Sequence, residues 1–145
     1  MLPALNHAES LRRLASEPAG AYRVALAASA LMALTAGILA GAVLAPAATA
    51  DPGLATLLRF MALVKGAIIA IAAALAAWRF GFAIPPKLAI GYTAAVALMA
   101  LSPGLIWFQS SLVVASAAFH SGLLLGLALA AGDGLAKQRN QTKPG

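Results

Sequence analysis

The stretch that decides the fold is Val24 to Ala45, VALAASALMALTAGILAGAVLA, which holds 22 residues and no charge. At 1.5 Å per residue it is about 33 Å long as a helix, enough to cross a hydrocarbon core of about 30 Å. Tyr22 and Arg23 stand before it as anchors, and Pro46 to Gly53 after it is a turn-rich loop without Lys or Arg. The rest of the chain repeats this character. Of its 145 residues 62% are hydrophobic and 10% are charged, with a mean hydropathy of +0.90. A soluble domain is about 45–50% apolar and about 25% charged, so water is excluded as the solvent for most of this surface.

Moving outward, Asp51-Pro52 has the form of a helix start, with Asp as cap and Pro as first helical residue. A second apolar helix then runs to about Phe80, interrupted by Arg59 and Lys65. Pro85-Pro86 opens a third, and Pro103-Gly104 near its end is expected to kink or terminate it, because proline donates no backbone bond. Gln109-Ser110 is a last loop before a fourth apolar run, which Asp133-Gly134 is expected to end. The spacing therefore predicts an all-α integral membrane protein, an up-down bundle of four antiparallel transmembrane helices. The spans are placed at about 24–45, 54–79, 87–108 and 111–132, within a membrane domain covering 22–132. Residues 1–21 form a polar N-terminal segment. In it, Asn6 and Glu9 at capping spacing suggest a short interfacial helix over about 7–16, stopped before Pro18 and Gly20. Residues 133–145 read as a polar, disordered tail. A β-barrel would need alternating strands of about 10 residues, and the continuous Ala-rich runs argue against one.

The charges set an orientation. Arg12, Arg13, Arg23, Arg79, Lys87, Lys137, Arg139 and Lys143 all fall on one side of a four-span chain, and the two opposite loops have no Lys or Arg. The positive-inside rule places that side, with both ends of this chain, in the cytoplasm. The net charge of +6 is explained by topology and lipid headgroups, and nucleic acid is not expected as a partner. In composition and layout, though in no motif, the chain resembles small alanine-rich four-helix membrane proteins of bacteria, which implies an inner-membrane location. One competing reading is that Ala48-Thr49-Ala50 is a signal-peptidase site, which would leave three helices.

Lys65 is the most informative residue, because it falls near the middle of the second span, where a charge costs roughly 2.5–3.5 kcal/mol. It marks either an ion or partner site, or a side chain that snorkels outward past Arg59. His120 lies near the middle of the fourth span with Ser116 one turn earlier on the same face. It could meet Lys65 across the bundle, pack as a bonded neutral imidazole, or ligate a haem with a second histidine from another chain. Gly37 with Gly41, Gly122 with Gly126, and Gly66 are candidate helix-packing positions, since small residues let backbones approach in lipid.

No cysteine is present, which excludes disulfides and thiolate sites. There is no phosphate loop, H-E-x-x-H, nucleophile elbow or paired carboxylate. The reading is therefore a non-catalytic membrane protein with no catalytic residues, no cofactor and no metal site. It would act as an accessory, assembly or scaffold subunit, as a homo-oligomer or in a larger complex, with membrane lipids around it. The alternatives are an oligomeric anion route using Lys65 and a haem-binding electron-transfer subunit using His120.

Overall fold

The computed structural model describes the backbone of residues 3–45 and 51–141 and the side chains of 19–45 and 51–135. It is all-helical. The elements are α1 (Pro3–Val43), α2 (Pro52–Arg79), α3 (Pro86–Ala100), α4 (Ser102–Trp107) and α5 (Leu112–Gln141). Four stretches are long and apolar enough to cross a membrane: Ala19–Val43, Pro52–Arg79, Pro86–Trp107 and Leu112–Leu135. The chain is a multi-pass membrane protein.

Local chemistry explains the element boundaries. Asp51 caps α2, its carboxylate accepting from the Gly53 N–H at 3.3 Å, with Pro52 as the first helical residue. Pro85 precedes α3 and Pro86 starts it. The third span breaks at Leu101, two residues before Pro103, because Pro103 has no N–H to continue the ladder. The chain resumes at once as α4, so α3 and α4 form one broken span. Beyond α4, Gln109 adopts φ 56°, and Ser110 N–H donates to Leu105 O while Gln109 N–H donates to Ile106 O. This is the hydrogen-bond pattern of a left-handed helix stop, here made by a residue other than glycine.

Two expectations about helix ends are corrected. The separate helix over 7–16 is not found. The backbone of α1 continues through Pro18 and Gly20 into the first span, since proline removes only its own bond from a ladder that neighbouring turns keep cooperative. The side chains of Asn6 and Glu9, and Ala48-Thr49-Ala50, lie outside the described residues. At the other end, Asp133-Gly134 does not stop the fourth helix. α5 runs on to Gln141, and Asp133 spends its carboxylate on another helix.

The broken third span is the centre of the bundle. Half of its apolar window, 50%, is buried, against 17% in each of the others. It packs on α1, α2 and α5, whereas α2 and α5 have no Cα atoms within 8 Å of one another. The main core joins Leu26, Ile69, Phe80, Val96, Met99 and Phe119. A smaller cluster joins Leu58, Ala62, Leu105, Ile106 and Ala115. Phe80, at the end of the second span, is fully buried. It makes edge contacts with Tyr22 and Tyr92 at 5.9 and 6.5 Å.

Glycine sets the closest approaches. A Cβ on Gly37 would overlap the Leu101 carbonyl, and one on Gly104 would overlap the backbone of Gly37 and Ile38. A Cβ on Gly41 would lie 2.6 Å from Gly104 O. α1 therefore lies directly on the break between α3 and α4. Gly122 approaches α3 in the same way, its Cβ position 2.5 Å from Ala95 O.

Candidate functional site

The two cations of α2 are placed by aromatic faces. Lys65 continues the inward stripe of Leu58, Ala62, Ile69 and Ala76. Its Nζ lies 4.7 Å from the centroid of the buried Phe119 ring on α5. Arg59 is exposed and holds its guanidinium 5.6 Å from the Trp107 ring centre at the end of α4. An aromatic face attracts a cation through its quadrupole, by about 0.5–1 kcal/mol at exposed sites and more when desolvated. No described carboxylate forms an ion pair with Lys65. Arg59 and Lys65 thus reach aromatic rings on different helices.

His120 does not meet Lys65. It is exposed, and its ring packs edge-on to Phe119 at 5.6 Å. Its Nδ1 sits 2.7 Å from the Ser116 carbonyl and 3.2 Å from Ser116 Oγ. A carbonyl oxygen only accepts, so Nδ1–H is the donor in that contact. Phe119 therefore contacts both the Lys65 ammonium and the His120 ring. Among the described residues there is no group of three His, Cys, Asp or Glu able to hold a metal ion.

An ion pair between two described residues is one that the sequence reading missed. Arg79 Nε donates to Asp133 Oδ2 at 2.6 Å and Nη2 donates to Oδ1 at 3.0 Å, with side chains only 12% and 14% exposed. Parallel bonds of this kind fix geometry as well as charge. The available signal was that Asp133 is the sole acidic residue at the positively charged ends of the second and fourth spans. On the other side of α2, Arg23 Nε donates to Ala77 O at 3.0 Å and covers one of the last carbonyls of the helix.

Two grooves flank α2. The first, about 560 Å³, lies between α1 and α2 over α4. Small residues line it, Ala30, Ala62, Gly66, Ala100 and Gly104, between exposed Leu31 and Leu63. Gly66 belongs here and not to a close contact, because nothing lies within 4 Å of its Cβ position. Within this chain Gly66 makes no close helix contact: α2 stands off from α1 at this level, and the glycine faces open space. The second groove, about 490 Å³, lies between α2 and α5 over α3. It is apolar along Ile71, Leu75, Val96 and Leu127 and polar at one end, where Arg79, Asp133 and Tyr92 meet. Gly126 lines it with its Cβ position 3.8 Å from Ala95 Cβ, a looser contact than that of Gly122.

Compared with protein-family models, curated proteins and solved structures, the chain gives no match.

Proposed function

We propose that this protein is a non-catalytic accessory, assembly or scaffold subunit that works by association in a bacterial inner membrane. The observation that carries this reading is the groove between α1 and α2. These helices are neighbours in the chain, yet they leave about 560 Å³ of apolar space, where Ala30, Ala62, Gly66, Ala100 and Gly104 lie among larger side chains such as Leu34, Ile38 and Trp107. Small residues at a helix surface favour close approach of another helix in lipid, where no hydrophobic drive separates protein from tails. The occupant is a transmembrane helix of a partner, either a second copy or another subunit.

The topology in this proposal is up-down, with both ends of this chain in the cytoplasm. Contact register supports it. Tyr22 and Arg23 at the start of the first span meet Phe80 and Ala77 at the end of the second. Gly91 meets Leu129 while Gly122 meets Ala95, so position rises on α3 as it falls on α5. The Lys and Arg distribution sets the side.

The test is a photocrosslinking side chain at Gly66, compared with one at Ile90 on an exposed face of α3. The expected product is a defined polypeptide adduct from position 66 and lipid adducts from position 90. Lipid adducts alone at both positions overturn the reading.

A further inference from the structure

The groove between α2 and α5 differs from the first in how it is held open. Its walls have no Cα atoms within 8 Å of each other. Two side-chain bridges span them, Lys65 to the Phe119 ring and Arg79 to Asp133. The bridges stand at matching intervals, about four helical turns apart on each helix. Such a frame ties the two helices to one another across the space between them. The space between the bridges is apolar until its outer end, where Arg79, Asp133, Tyr92 and the exposed Trp78 cluster.

These dimensions match one leaflet. From Ile68 to Arg79 the α2 wall is about 16 Å long at 1.5 Å per residue, against about 15 Å for half a hydrocarbon core. Tyr and Trp belong at headgroup depth. Arg79 keeps one nitrogen outside the ion pair, Nη1, whose contact to Ala83 O is long at 3.4 Å. The Tyr92 hydroxyl donates to no described residue. Both are donors suited to phosphate oxygens. Among the described residues lining this end of the groove, the Arg79 charge is paired with the carboxylate of Asp133, so together they present a dipole and not a bare cation.

We infer that the α2–α5 groove is a binding site for a single zwitterionic glycerophospholipid. One acyl chain lies between the two bridges, and the phosphate accepts hydrogen bonds from Arg79 Nη1 and Tyr92. The bound lipid completes the bundle on the side where α2 and α5 do not touch.

The experiment is native mass spectrometry of the full chain in mild detergent, titrated with phosphatidylethanolamine or with phosphatidylglycerol. The wild type is expected to retain one phosphatidylethanolamine per chain through dissociation of the micelle. Gly126→Phe and Ala130→Phe fill the groove while leaving both bridges, and each is expected to weaken retention at least about tenfold. Ala130 is exposed, so its variant folds even where Gly126→Phe does not. Tyr92→Phe is expected to weaken retention by a few-fold, and Gly66→Phe, in the other groove, to leave it unchanged. Equal retention by Ala130→Phe and wild type overturns the inference, as does preference for phosphatidylglycerol or loss of lipid with Gly66→Phe.

Discussion

The contact of α1 with α4 and the contact of α2 with α5 solve opposite problems. In the first, Gly37, Gly41 and Gly104 bring backbone onto backbone, with no room for a methyl group at Gly37 or Gly104. In the second, no backbone approaches at all, and two polar bridges hold the helices across open space. The difference follows from side-chain size. Small residues at helical spacing let helices close in lipid, while Ile68, Ile71, Leu75 and Leu127 keep the α2–α5 groove wide. The closed contact fixes the bundle, and the open ones leave surface for other molecules.

The largest effect is expected at the open contact. Asp133→Asn leaves the guanidinium of Arg79 mostly buried without its counter-charge, which costs about 3–5 kcal/mol when such a pair is broken. The double variant Arg79→Leu/Asp133→Leu should cost less than the single one, and unfolding in detergent measures both. A double variant worse than Asp133→Asn would mean that the pair is a net source of stability. Next comes the closed contact. Gly37→Ala should cost about 1–3 kcal/mol through overpacking on the Leu101 carbonyl. Gly66→Ala, facing open space, should be neutral or slightly stabilising through helix propensity. Equal behaviour of the two glycines in a thermal melt would erase the distinction between the contacts.

A smaller change of opposite sign is expected at Ser102, next to the break under Gly37. Its hydroxyl is fully buried with no hydrogen-bond partner, so Ser102→Ala should gain about 1 kcal/mol in the same melt. Lys65→Met should change least. It removes a cation–aromatic attraction of about 0.5–1 kcal/mol together with the charge that was expensive to place there. A loss as large as that of Asp133→Asn would show that Lys65 holds more than the Phe119 ring.

The closed contact was readable in the sequence and the open one was not. The Gly37 and Gly41 spacing, the Gly122 position, the Pro103 break and the Asp51-Pro52 and Pro85-Pro86 starts all act over a few residues, where local chemistry decides the outcome. The pairing of Arg79 with Asp133 depends on how α2 and α5 are rotated about their axes. These helices are apolar on nearly every face, so periodicity cannot say which side turns inward. For the same reason the sequence left open whether Lys65 meets His120; it lies over Phe119, one residue away on α5. The ends of α1 and α5 were misjudged because Pro18 and Gly134 are helix breakers in isolation. Continuous helix on both sides of each outweighed that local preference.

The most direct test of the central claim, association through the α1–α2 groove, is the native mass of the protein released gently from its own membrane. The account predicts a particle heavier than the 14.5 kDa chain by at least one whole polypeptide. Gly66→Phe should break that particle down to the single chain, and Ala130→Phe, in the lipid groove, should leave it intact. A wild type that leaves the membrane as a single 14.5 kDa chain, or a complex indifferent to Gly66→Phe, would contradict the account.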